Sequence, residues 1–219
     1  MGGLIWRGVA SGGRNKADNW WHFHRHRWVQ MMNGTAMQKV LAGDEAAAPT
    51  FALLPPGVYN MASKNKRLPT CSYSSPFFDL VKPKSMAKQY KYKYLPDIDG
   101  NSFSGRWRGF LRSTSCPLKA TIYTEWHDDR LVPWVHFVPF DNTFMDIYAI
   151  MEFFLEGHDA QGRRIADEGS RWASQVMRRD DMLLYVWRVL LEYARVVDPQ
   201  RDRLAFIGDL VKEETQRYK

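Results

Sequence analysis

Cysteine is scarce: Cys71 and Cys116 are the only two in 219 residues. A disulfide framework is therefore excluded as the basis of the fold. One bridge could form, and spacing alone does not show that the two thiols meet. Long apolar runs are also missing, and none approaches the roughly 20 residues of a membrane span. Met1-Gly-Gly-Leu-Ile-Trp6 has no charged lead and runs straight into a strand-like stretch, so no signal peptide is expected. There is no internal repeat, which argues against a solenoid. Nor is there a basic stripe with interleaved stacking aromatics, the mark of a nucleic-acid binder. Trp20, Trp21, Phe23, Arg25, Arg27 and Trp28 come nearest to one. Helical spacing makes Trp21, Arg25 and Trp28 neighbours, which serves equally as a half-buried packing face, so nucleic-acid binding stands only as a rival reading.

At 219 residues the chain is long enough for one large domain or two small ones. Hydrophobic residues make up 45% of the chain, enough for a proper core, and nine Trp, ten Tyr and twelve Phe supply packing bulk. The net charge is +7 and the pI about 9.4, a balance that suits a nucleotide, another polyanion or an anionic surface. Leu4 to Val9 reads as a strand and Ser11-Gly12-Gly13 as a turn. Asp18 can cap a helix running to about Met32, which Asn33-Gly34 ends. A shorter helix is expected from Ala36 to Leu41. Residues 46–83, rich in Pro, Ser, Lys and Gly, read as irregular. Ala120 to Tyr123 and Val135 to Val138 are β-rich. From about residue 143 onward the pattern is helical. Phe144, Ile147, Tyr148, Met151 and Phe154 fall near 3.6 spacing, Ile165, Trp172 and Val176 mark a second helix, and Met182 to Val196 a third. Asp202 to Thr215 reads as a last helix. Strands alternating with helices imply a parallel sheet.

The segment Lys93-Tyr-Leu-Pro-Asp-Ile-Asp-Gly-Asn-Ser-Phe-Ser-Gly-Arg-Trp-Arg-Gly-Phe-Leu-Arg112 carries the most chemistry. It reads as a strand, a turn at Asp99-Gly100 and a helix opening near Ser102, with Arg106 one turn in. Free N–H groups at a helix start, together with a bidentate guanidinium, make a seat for a diphosphate. Phe103, Trp107, Phe110 and Leu111 form the packing face of that helix. Arg108 and Arg112 stand one turn apart on another face. Arg7-Gly8 and Ser11-Gly12-Gly13-Arg14 form a second glycine-rich, basic stretch, which by itself reads as a strand-to-helix loop. Glu125, just beyond a strand, has the position of a ribose-binding acid or of an arginine partner. Trp134 and His136 are expected to alternate on one face of a strand. His22, His24 and His26 lack an evident further ligand and read as surface histidines rather than a zinc site. Asp97-Ile-Asp99 has the form of an Asp-x-Asp metal motif, two carboxylates that with the right turn could bind a divalent ion.

Lys93 to Arg108 resembles the signature of glycosyltransferase family 90. That family includes the fungal capsule-associated xylosyltransferases and the animal protein O-glucosyltransferases. Three further blocks resemble it in the same order: Ile5-Trp-Arg-Gly-Val-Ala-Ser-Gly-Gly-Arg14, Leu118-Lys-Ala-Thr-Ile-Tyr-Thr-Glu-Trp126 and Leu131-Val-Pro-Trp-Val-His-Phe-Val-Pro139. The likeness continues to about Leu210 and is nearest the fungal members. It implies one donor-binding domain over residues 1–219, a Rossmann-like parallel sheet with a helical C-terminal tail. This would be the C-terminal half of a two-Rossmann (GT-B) transferase, and the chain reads as incomplete beside longer relatives. It further implies transfer of glucose or xylose from a UDP-sugar to a glycan or glycoprotein hydroxyl in the secretory pathway, without a divalent metal or other cofactor. The donor-binding residues it implies are Arg7, Gly8, Ser11, Arg14, Asn101, Ser102, Phe103, Ser104, Gly105, Arg106 and Glu125. Arg14 and its neighbour Lys16 both remain open as the second clamp. No catalytic base is assigned, and Asp18, Asp97 and Asp99 are not taken for one. The alternative is a non-catalytic nucleotide-sugar-binding fragment.

Overall fold

The computed structural model describes residues 3–8, 11–13, 19, 22–32 and 84–201. The expected helix at Ala36–Leu41, the irregular segment 46–83, the last helix from Asp202, and Arg14, Lys16, Asp18 and Cys71 lie outside those residues. The chain divides into two compact units, Met1–Gln175 and Val176–Lys219.

In the first unit the sheet is parallel throughout, in the order β1 (Tyr94–Ile98), β2 (Cys116–Ala120), β3 (Val138–Pro139). β1 and β2 pair in register from Tyr94 opposite Cys116 to Ile98 opposite Ala120. Every residue of both strands is buried, as expected of parallel strands covered on both faces. The architecture is α/β and Rossmann-like, as the sequence predicts. Ahead of the sheet, Leu4 forms only an isolated parallel bridge with Tyr94. The amide of Ile5 donates to the Tyr94 carbonyl at 3.2 Å. The expected first strand is thus present as one point of contact on the β1 side.

One face of the sheet carries the main core. Tyr94, Ile98, Cys116, Leu118, Ala120 and Val138 meet Trp28 and Met31 of α1 (His24–Met32) and Ile147 and Phe154 of α4 (Ile147–Leu155). Ile165 and Ala166 of α5 (Asp159–Val176) complete it. Trp28 lies edge-on to Phe144, with centroids 5.5 Å apart. Tyr148 Oη donates to the Met31 carbonyl at 2.6 Å, tying α4 to α1. Gly169 on α5 passes so close to the chain that an added Cβ would lie 2.2 Å from the His136 carbonyl oxygen. The opposite face is covered by α3 (Trp107–Leu111), whose Trp107, Phe110 and Leu111 are buried. A single-turn helix, α2 (Met86–Gln89), precedes β1.

Four sequence expectations are revised. The helix near Ser102 begins only at Trp107, because residues 100–104 are closed into a turn by the Gly100 amide donating to the Phe103 carbonyl at 3.0 Å. The strand expected at Ala120–Tyr123 lies earlier, at β2, and ends where Asp99 takes the Thr121 hydroxyl and the Ile122 amide. Residues 132–137 form a turn, not a strand. Trp134 sits at φ 64° and its amide donates to the Phe137 carbonyl at 2.7 Å. Trp134 and His136 therefore do not alternate on one strand face. The helix expected before Met32 starts at His24, after the His22 amide has closed a turn on the Asn19 carbonyl.

In the second unit, α6 (Arg179–Val197) opens with Asp180 and Asp181 in its first turn and carries Arg195 in its last, an arrangement that suits the helix dipole. Asp181 accepts the Arg178 amide at 2.8 Å and its guanidinium at 2.9 Å. Among the described residues, no helix is long and apolar enough to cross a membrane.

Candidate functional site

The loops that follow β1 and β2 emerge at the carboxyl edge of a parallel sheet, where α/β folds place their ligands. Three segments are stitched together there. Asn101 Oδ1 accepts the amides of Gly12 at 3.0 Å and Gly13 at 3.1 Å. Those glycines hold φ values of 141° and 147°, a region that side chains rarely adopt. Tyr123 Oη donates to the Asn101 carbonyl at 3.2 Å. Arg25 on α1 reaches under the cluster, donating to Ser11 Oγ at 2.7 Å and twice to the Ile98 carbonyl at 3.2 Å.

Arg106 is at the centre. It is the residue immediately before α3, so its side chain, rather than the start of this short helix, brings the charge. Its guanidinium donates to the Arg7 carbonyl at 3.0 Å, to Ser104 Oγ at 3.4 Å and to Asp97 Oδ1 at 3.4 Å. It also stacks between the rings of Trp6 and Phe110, each 5.3 Å away. Burial lowers the Arg106 pKa, opposed by Asp97. Asp97 is itself fully buried. Burial raises its carboxyl above the ordinary range, while Arg106, Lys119 and the Ser104 hydroxyl pull it down. Ser104 donates to it in a short contact.

Lys119 sits opposite Asp97 in the β1–β2 register. Its ammonium is 3.7 Å from Asp97 Oδ2 and 3.1 Å from Glu125 Oε1, and lies 4.6 Å over the Trp107 ring. His127 Nε2 approaches Glu125 from the other side at 3.4 Å. Burial would raise Glu125's pKa, but His127 and Lys119 hold it below the usual carboxylate range. Glu125 therefore has its first partner in Lys119, a role that strand patterning could not assign. The signal in the sequence was a lysine inside the buried run Leu118-Lys119-Ala120; its partner Asp97 required the register.

The remaining expected residues divide. Asn101, Ser104, Arg106 and Glu125 gather at this edge, and Arg7 contributes a backbone carbonyl while its side chain is exposed. Gly8, Ser102 and Gly105 are exposed around it. Phe103, expected on the packing face, is instead 56% exposed. Asp99 accepts from Thr121 and Ile122 and lies 4.0 Å from His24 Nδ1. Trp134 and His136 lie at the opposite edge, before β3. His136 Nδ1 accepts the Val132 amide at 2.9 Å, and its ring stacks on Trp172. The histidines read as surface residues separate, His22 being exposed before α1 and His26 buried on it. No group of three His, Cys, Asp or Glu among the described residues is placed to hold a metal ion. Cys116 is a free, buried thiol whose pKa burial pushes up to about 12.

Residues 59–205, which include β1, β2 and both of their loops, match the family description Glycosyl transferase family 90. The chain belongs to that family. It is 30% identical over 118 residues to protein O-glucosyltransferase 2 of Danio rerio, covering 53% of this chain and 23% of the relative. Protein O-glucosyltransferase 3 of Rattus norvegicus is 28% identical over 143 residues, covering 61% and 28%. The O-glucosyltransferase LpsA of Dichelobacter nodosus is 27% identical over 118 residues, covering 53% and 37%. The chain thus spans well under half the length of these relatives. Asp97, Ser104, Arg106, Lys119 and Glu125 fall inside the matched segment; the stretch from Arg7 to Gly13 precedes it.

Proposed function

We propose that this chain binds the nucleoside diphosphate of a UDP-sugar and serves transfer of that sugar to an acceptor hydroxyl. The observation that carries the reading is Arg106, held at the carboxyl edge of β1 between the Asp97 carboxylate and the Arg7 carbonyl. Three of the five guanidinium donors are used in holding it. The rest are what a diphosphate oxygen would take, in the bidentate manner that suits arginine. Glu125, held as a carboxylate by Lys119 and His127, would accept ribose hydroxyls in this reading. The names of the relatives favour glucose over xylose as the sugar; the acceptor in this reading is a glycan or glycoprotein hydroxyl. Residence in the secretory pathway and a two-Rossmann arrangement belong to the same reading.

In transfer, the acceptor oxygen attacks the anomeric carbon as the bond to the diphosphate breaks. Charge grows on the leaving phosphate oxygen, and Arg106 would stabilise it there more than in the ground state. The acceptor must also lose its proton to a base. In this reading the donor is held by protein cations without a divalent metal.

Calorimetry with UDP tests the proposal. Binding is expected with and without EDTA, and Arg106→Ala should weaken it by about 1.5–3 kcal/mol, the scale of a charge-assisted hydrogen bond. Folded protein that binds no UDP in either condition refutes the donor site. Loss of binding on EDTA alone would overturn the metal-free reading of the donor site. A non-catalytic donor-binding chain is the second reading, because Asp97, Asp99 and Glu125 are all engaged by donors or cations.

A further inference from the structure

We infer that Asp97 is the positioning residue of this site, its carboxylate holding Arg106 and Lys119 in one geometry and so coupling the loop after β1 to the loop after β2. The inference rests on the donor reading above.

The parallel register sets Asp97 beside Lys119 on the sheet face that α3 covers. Their side chains are 1% and 4% exposed. One carboxylate oxygen takes the Ser104 hydroxyl and the Arg106 guanidinium; the other faces the Lys119 ammonium. Lys119 passes on to Glu125, and Glu125 to His127. Charges alternate along this line, from Arg106 through Asp97 and Lys119 to Glu125. Its two ends are the residues proposed to grip phosphate and ribose.

Burying such groups is costly, and an apolar pair would serve packing as well or better. The arrangement is therefore better explained by what it orients. Without Asp97, two neighbouring buried cations would repel, and Ser104 and Arg106 would lose their common acceptor. Asp97 has no exposed surface with which to touch a ligand, so it acts through Arg106 and Lys119.

The test combines UDP calorimetry with the Arg106 Nε–H signal in nitrogen-15 NMR of the full chain. Asp97→Ala should raise the UDP dissociation constant at least tenfold and broaden or shift the Arg106 signal. Asp97→Asn keeps the shape and one acceptor oxygen, and should cost about threefold. On an Arg106→Ala background, either Asp97 change should cost less than it does in the wild type, because the part that runs through Arg106 is already gone and only the part through Lys119 remains. A folded Asp97→Ala protein that binds UDP within twofold of wild type, or whose loss multiplies in full with that of Arg106→Ala, overturns the inference. Should Asp97→Ala fail to fold, Asp97→Asn carries the same comparison, and unchanged affinity there overturns it equally. Wild-type protein that binds no UDP, while Asp97→Ala still disturbs the Arg106 signal, removes the donor reading and the role of Asp97 in binding with it. That result is distinct from a failure of the coupling alone.

Discussion

His26 is buried on α1 with only 1% of its surface exposed, and its pKa falls to about 4, chiefly through burial and secondarily through Arg25. The folded protein therefore holds His26 neutral at pH values where the unfolded chain, with an ordinary histidine pKa near 6.5, already binds a proton. Stability from this residue is intact above about pH 6.5 and drains away as the pH falls toward 4. The shift corresponds to about 3 kcal/mol at the acid end. His24 and His136 are lowered in the same direction, and His136 needs a neutral Nδ1 to accept the Val132 amide. Urea unfolding at pH 7.5 and pH 4.5 should show this loss, and His26→Gln should flatten part of it. An equally steep acid limb in His26→Gln would place the titration elsewhere.

At the scale of elements, the loops at the carboxyl edge are held by side chains reaching between segments far apart in sequence. Asn101 is exposed, so water replaces its two bonds to Gly12 and Gly13 at little net cost. Asn101→Ala should change global stability by less than about 1 kcal/mol, yet hydrogen exchange at the Gly12 and Gly13 amides should quicken about tenfold. Unchanged exchange would mean that the loop is held without Asn101. The same distinction between local and distant causes governs what could be read in advance. The spacing of Ile165 and Trp172, and of Met182 to Val196, gave α5 and α6 because a helix's apolar period is written along its own length. β1 was equally visible. The loop from Gly100 to Arg106 was not, because its conformation depends on Gly100, Asn101 and Ser104 finding partners at Phe103, Gly12 and Asp97. The turn at Trp134 was hidden for a similar reason: Val-His-Phe-Val reads as a strand until the His136 ring captures the Val132 amide. At the site, Ser104, Arg106 and Glu125 were legible as residue types in a family segment. Lys119 and the role of Asp97 became visible only when two strands were laid side by side.

For the whole molecule, the question is whether this chain turns over. A transferase needs a base near the acceptor, and a useful base has a pKa near the working pH. Among the described residues, Asp97, Asp99 and Glu125 each already have partners at this site. Asp97 is enclosed by Ser104, Arg106 and Lys119. Asp99 takes the Thr121 hydroxyl and the Ile122 amide on Oδ2, and its carboxylate is buried. Glu125 is held below the usual range by His127 and Lys119, which makes it a weak proton acceptor. Binding and leaving-group stabilisation can reside here without proton removal. A site with no base placed against the acceptor forfeits orientation that is worth up to about 7–11 kcal/mol of barrier. This 219-residue chain, assayed alone, should therefore bind UDP-glucose and hydrolyse it slowly at most. Transfer to a glycoprotein or glycan acceptor should fall well below that of a full-length O-glucosyltransferase. A radiolabelled assay with UDP-glucose and UDP-xylose makes the comparison directly. Glu125→Gln should then weaken donor binding without removing a step unique to the acceptor. Turnover within about tenfold of the longer enzyme, a barrier difference of only about 1.4 kcal/mol, would mean that one of these carboxylates, or an acid outside the described residues, serves as the base after all.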